Sequence, residues 1–154
     1  MTRFLSYSFA FLGLFAMITI TGCGPAGHTV QPVTGKITYK GEPVEGALVT
    51  FVSVDPYGHG AIGTTTSDGT YTLQTHAAPK PGAVVGDYDI FVAKTIAVDI
   101  HGKEYLNENQ PLGPLGRPAT KHLIPMKYSG DGVPSVLSAT VQKGKNVFDF
   151  NLED

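Results

Sequence analysis

Gly63-Thr-Thr-Thr-Ser-Asp-Gly-Thr-Tyr-Thr-Leu73 is the stretch from which the fold can be read. Two Thr-rich, alternating segments flank Ser67-Asp68-Gly69. Asp-Gly between such segments is a strong hairpin signal, because Gly accepts the positive φ that a tight turn needs. Past the turn, Tyr71 and Leu73 fall on one face of a strand, with Thr70, Thr72 and Gln74 on the other.

Outward from this hairpin the same grammar repeats. Ile37 and Tyr39 alternate with Lys36, Thr38 and Lys40, and Gly41 to Gly46 reads as a turn around Pro43. Ala47, Val49 and Phe51 form the core face of a second strand. Its other face carries Leu48, Val52 and Val54, which predicts a central or covered strand. Asp55 to Gly60 and His76 to Gly86 read as loops. Tyr88, Ile90 and Val92 point inward from the next strand, Leu137, Ala139 and Val141 from another, and Phe148, Phe150 and Leu152 from the last.

Seven strands result, at about 33–40, 47–54, 61–66, 70–75, 87–95, 136–142 and 146–152. Short strands with alternating faces predict an all-β, seven-stranded, two-sheet sandwich. Each buried Phe-sized side chain is worth ~1.5–3 kcal/mol, so Phe51, Tyr88, Phe148 and Phe150 are the expected anchors. Nineteen Gly, eleven Pro and no Trp suit such a turn-rich β domain, and no amphipathic helix is evident.

The first 22 residues have another character. Arg3 precedes an apolar run from Phe9 to Ile20, too short to span a membrane comfortably and suited to a signal peptide. The run ends in Ile20-Thr21-Gly22-Cys23, which looks like a bacterial lipobox. There the small residues admit the peptidase, and the thiol carries the lipid. Cys23 is the sole cysteine, so it has no intrachain disulfide partner. The alternative is ordinary secretion with an incidental cysteine. The expected organisation is therefore a cleaved signal peptide at 1–22, a lipidated tether at 23–31 and a sandwich domain at 32–154. Palmitate-type acylation of Cys23 would hold the domain on a membrane facing the periplasm or exterior; which leaflet is open.

Composition narrows the partners. Eleven Lys and Arg against thirteen Asp and Glu give a net charge of −2 without a basic patch, so nucleic acid is excluded as a partner. The five histidines, His28, His59, His76, His101 and His122, show no metal-ligand spacing. Several Asp residues near loops offer oxygen ligands, but Asp at turns ordinarily serves neighbouring N–H groups. No nucleophile elbow or P-loop is present. These observations predict neither catalytic residues, metal nor cofactor. A hydrolase or metalloenzyme would require His59, His76 or His122 to converge with a carboxylate in one cleft.

Several pieces together resemble a known family. They are Val33-Thr-Gly-Lys-Ile-Thr-Tyr-Lys-Gly-Glu-Pro-Val-Glu-Gly-Ala47, the hairpin Ser67 to Leu73, and Gly86-Asp-Tyr-Asp-Ile-Phe-Val92. Ile124 to Tyr128, Leu137 to Val141 and Gly144 to Leu152 complete the set. In this order they resemble the small lipoproteins of planctomycete-type bacteria with a carboxypeptidase-regulatory-like, or transthyretin-like, β-sandwich. The resemblance implies a non-catalytic binding or structural role at the cell envelope, toward a protein or glycan, and it carries over no catalytic residue. Related sandwiches include hydroxyisourate hydrolases, with a Tyr-Arg-Gly-Ser tail, and intradiol dioxygenases, with a Tyr/His iron site; neither signature stands here.

One segment departs from the pattern. From about 101 to 121 the chain is polar and rich in Pro and Gly, and long loops of this kind are either functional or simply solvated. As a binding surface it would act through Tyr105, Asn107, Asn109 and Arg117. A further expectation is an accessory subunit docking on a larger membrane complex through an apolar face of Val52, Val54, Phe91 and Val147.

Overall fold

The structure is a computed structural model that describes residues 28–107 and 109–154. The expected signal peptide, the expected lipidation site Cys23 and the expected tether up to residue 27 lie outside the described residues. No helix among the described residues is long and apolar enough to cross a membrane.

The chain is all-β. Its strands are β1 (Val30–Gln31), β2 (Val33–Tyr39), β3 (Glu42–Pro43), β4 (Leu48–Ser53), β5 (Ala61–Thr64), β6 (Thr70–Thr72) and β7 (Ala83–Val84). Then follow β8 (Gly86–Ala93), β9 (Thr95–Val98), β10 (Ala119–His122), a 3₁₀ turn at Met126–Tyr128, β11 (Leu137–Val141), β12 (Asn146–Val147) and β13 (Phe150–Leu152). One main sheet is antiparallel, in the order β11-β8-β4-β5. The other is organised around β2, which pairs antiparallel with β6 and β3 and parallel with β12 and β13.

The inner faces of the two sheets share one core. Val33, Ile37, Tyr71 and Leu152 come from the β2 sheet and its continuation; Val49, Phe51, Tyr88, Ile90, Val92 and Val141 come from the other. Phe51 is fully buried at the centre, its ring 5.7 Å from Tyr88, 6.0 Å from Phe148 and 6.4 Å from Tyr71, centroid to centroid. Phe148 and Phe150, expected as equal anchors, are only partly buried. They flank Asp149 at a break in the last strand, where its carboxylate accepts the Lys36 N–H at 2.8 Å in place of a backbone carbonyl. The Phe148 carbonyl instead accepts the Tyr71 hydroxyl at 2.8 Å, and Gly35 lies beneath this crossing.

The Asp-Gly turn forms, but its arms bond to each other only at Thr66–Thr70 and at Ile62–Gln74 and part between these points. β5 pairs with β4 in one sheet and β6 with β2 in the other, so the connection bridges the sandwich. Thr65 draws the first arm away: it is buried, and its hydroxyl accepts the Ala47 N–H at 2.7 Å. At the tip, Asp68 Oδ1 accepts the hydroxyls of Thr66 and Thr70, at 2.6 and 2.8 Å, and the Thr70 N–H at 3.1 Å. Gly69 has φ 80°, and a Cβ there would lie 2.6 Å from the Ile37 carbonyl oxygen.

These bonds to Asp68, from the Thr66 hydroxyl first and then Thr70, lower its pKa from 3.8 to about 2. A depressed folded-state pKa contributes stability above the unfolded value, lost as pH falls through the folded one. Thermal melts of the wild type and Asp68→Asn should therefore differ above about pH 4 and converge toward about pH 2. A gap that stays constant down to pH 2 would remove Asp68 ionisation as its cause.

Other boundaries also shift. The first turn is Lys40-Gly41, with φ 53° and 83°, a two-residue hairpin of the type that right-handed strand twist favours; Glu42–Pro43, read as turn, is strand β3. The stretch expected as a tether, 23–31, ends in β1, which pairs with β7 inside the stretch read as a loop. β9 does not extend β8 in its sheet but pairs with β10. The outer face of β4 is central yet uncovered: Leu48 and Val52 are each 45% exposed and Val54 59%.

Candidate functional site

The outer face of β4 and β5 forms the floor of a cleft of about 490 Å³, with Thr50, Val52 and Ile62 at its base. One wall is the 55–60 loop. Asp55 shapes it by accepting the Tyr57 N–H at 2.9 Å through Oδ1 and the Gly58 N–H at 2.8 Å through its carbonyl. The other wall is Gln74 to Ala77. The buried Thr75 latches the walls together, its hydroxyl donating to the Gly60 carbonyl at 2.7 Å. Beneath, the Tyr88 hydroxyl lies 3.1 Å from the His59 carbonyl and 2.8 Å from that of Val84. Burial pushes the pKa of this hydroxyl up, so it remains a donor.

The cleft sets an apolar floor inside a polar rim of Asp55, His59, Gln74 and His76. Such a lining can bind one face of a ligand by apolar contact and its edge by hydrogen bonds. The β5 edge itself is closed at Ile62, whose N–H and C=O both pair with Gln74, at 2.9 and 2.7 Å. A ligand would lie on the face rather than add a strand. His59 and His76 do share this cleft with a carboxylate, as a catalytic reading required. Among the described residues, however, no group of three or more His, Cys, Asp or Glu is arranged to hold a metal ion. His122 lies elsewhere, its Nε2 3.5 Å from Asp131 Oδ2.

Behind the 55–60 loop is a second, narrower cleft of about 170 Å³, lined by His28, Asp55, His59, Asp87 and Tyr88 among others. From sequence, His28 falls in the expected tether. Its place against His59 depends on the β1–β7 pairing, which no local pattern announces.

The long loop is more structured than expected. Asp99 is buried, and its Oδ1 accepts the N–H groups of His101 and Lys103 at 2.8 and 3.0 Å. Gln110 Oε1 accepts the N–H groups of Leu106 and Asn107, while its Nε2 donates to the Glu104 carbonyl. Asn107 Oδ1 accepts the Asn109 N–H at 3.1 Å, so this side chain serves its own turn. The Tyr105 N–H donates to the Ala97 carbonyl at 2.8 Å. Arg117 lines a cleft of about 360 Å³ in which Tyr105, Asn107 and Asn109 take no part.

The expected apolar docking face is divided. Val52 and Val54 belong to the outer side of the β4 sheet, but Phe91 there is covered by Gly130, where a Cβ would come within 2.7 Å of the ring. Val147 is on β12 in the other sheet.

No family model matches the sequence, and no curated protein matches it. Among solved structures the fold is similar to part of a 9R-lipoxygenase from Cyanothece PCC8801, with a TM-score of 0.38 and 10% identity. The alignment covers 81% of this chain and 16% of that enzyme, and a likeness this slight carries no implication for activity.

Proposed function

We propose that this protein is a lipid-anchored, non-catalytic β-sandwich of the bacterial cell envelope, which binds an envelope protein or glycan. The observation that carries the binding role is the cleft over β4 and β5, with Val52 and Ile62 as its floor and Gln74, His59 and His76 on its rim. The anchor rests on Ile20-Thr21-Gly22-Cys23 after a short apolar run. Two or more acyl chains at Cys23 would give stable attachment, at ~0.8 kcal/mol per buried methylene.

Palmitate labelling of cells tests the anchor. Label is expected in the wild type and lost in Cys23→Ser; label in neither would leave a freely secreted domain. For the cleft, cosedimentation with isolated envelope glycan should be lost in Val52→Glu, which places a charge on the floor. Hydrolysis of an envelope substrate, abolished by His59→Ala and His76→Ala, would replace binding with catalysis.

Docking on a larger membrane complex is a second reading, favoured by the exposure of Leu48, Val52 and Val54 along β4. In that case Leu48→Glu, outside the cleft lining, would release the protein from a cross-linked complex while glycan cosedimentation stayed absent.

A further inference from the structure

β11 is the outer strand of its sheet, with β8 on one side of it. The direction of its backbone groups follows from β8. The Val54 N–H donates to the Asp87 carbonyl, so the odd-numbered residues of β8 bond toward β4 and the even-numbered ones toward β11. Gly86 and Tyr88 therefore face Val141 and Ala139, and the Ile90 N–H and carbonyl meet the Ser135 hydroxyl at the entry to β11. The N–H and C=O groups of Ser138 and Thr140 point the other way. Among the described residues, no backbone hydrogen bond outside the β8 ladder reaches them.

An open edge is a template for another strand, and proteins ordinarily blunt it with charge, proline, a break or a very short strand. Other edges of this fold carry such devices. The β12–β13 edge breaks at the charged Asp149, and β3 consists of Glu42 and Pro43. β10 follows Pro118 and contains Lys121, and β5 is met by Gln74. β11 has none of these: Ser135 to Gln142 holds no charged residue and no proline. The core is also unfinished along this flank. Leu137 and Ala139 pack against it but are only partly buried, and Val136 is 58% exposed.

The strand complements itself. Set antiparallel to a second β11 about a two-fold axis at Ala139, Leu137 lies opposite Val141, and Ala139 opposite its counterpart, on the core side. Ser138 lies opposite Thr140 on the outer side, and these are the residues whose backbone groups are free. Apolar meets apolar, hydroxyl meets hydroxyl, and each Ser138–Thr140 pair exchanges both of its N–H···O bonds. The small Ala139 stands at the axis, where facing Cα atoms approach to about 4.5 Å. Asp87 and Asp89, one strand in, would stand three strand spacings from those of the other copy. That is roughly 14 Å, beyond the screening length of about 8 Å. We propose that a second copy of this chain occupies the β11 edge, joining two four-stranded sheets into one across a two-fold axis. This surface is independent of the anchor and of the cleft over β4 and β5.

The test is sedimentation equilibrium of the full chain in density-matched detergent, over a concentration series. Two copies per particle are expected for the wild type. Thr140→Pro removes an outward N–H from each copy and leaves the β8 ladder intact, so it should weaken self-association by roughly tenfold or more. If its far-UV circular dichroism shows that it does not fold, a Ser138→Lys, Thr140→Lys double variant takes its place and sets like charges opposite each other. Cysteine trapping checks the register. In a Cys23→Ser background, Ala139→Cys should form an intermolecular disulfide on oxidation with diamide, since the facing Cα distance allows one. Val147→Cys, on the outer strand of the other sheet, should not. A wild type that stays monomeric throughout would overturn the proposal, as would a folded edge variant that associates equally well. So would trapping at Val147 in place of Ala139, or a different protein linked to Ala139→Cys with no self-linked product.

Discussion

Phe51→Ala is expected to lower unfolding stability by ~3–5 kcal/mol, against a total of ~5–15 for a typical domain. The side chain is fully buried, and its ring lies against aromatic partners in both sheets: Tyr88 beside it, Tyr71 and Phe148 across the core. Truncation removes its transfer free energy and leaves a cavity between two ladders that cannot close independently. Because the chain has no Trp, circular dichroism in a denaturant series is the appropriate measurement. Phe150→Ala, at a partly buried position, should cost less. Equal losses for the two would move the centre of the core toward the last strand.

Gly35→Ala should rival it, by the opposite mechanism. A Cβ at this position would overlap the Phe148 carbonyl and lie 2.8 Å from the Tyr71 hydroxyl. β2 is paired along both edges and cannot move aside. Either the last strand is pushed off β2, or the Tyr71–Phe148 bond is lost. Overpacking costs ~1–3 kcal/mol and a buried polar group left unpaired another ~1–3, so a loss of ~3–5 kcal/mol is expected. Hydrogen exchange should show the Phe148 and Lys36 amides losing protection first. Tyr71→Phe in the Gly35→Ala background should restore little, because the Phe148 backbone is the nearer obstacle. Unchanged protection at both amides would show that the crossing yields without cost.

What was legible in the sequence follows from period two. Side chains alternate across a strand, so the inward faces of Val49 and Phe51, of Tyr71 and Leu73, and of Tyr88, Ile90 and Val92 could be read from the alternation of residue types along the chain. Partner choice could not, because it is decided between residues far apart in the chain. The Asp-Gly turn gave no sign that a buried Thr65 would send its arms to different sheets. Nor did β12 and β13 announce a parallel pairing with β2, which separates Val147 from Val52 and Val54. At the site, Asp55, His59 and His76 were visible as loop residues, but their common cleft required the Thr75–Gly60 latch. His28 needed β1, a two-residue strand too short to carry a pattern.

The parallel pairing of β2 with β12 and β13 has a consequence for how the molecule is made. Lys36 meets Asp149, a residue 113 positions further along the chain. At ~5–20 residues per second, a ribosome needs on the order of ten seconds to deliver the strand that covers this side of β2. Until then the nascent chain exposes an unsatisfied strand edge, and its second sheet cannot close. This side of the sandwich therefore closes only once β12 and β13 have been delivered, and β2 waits with an open edge until then.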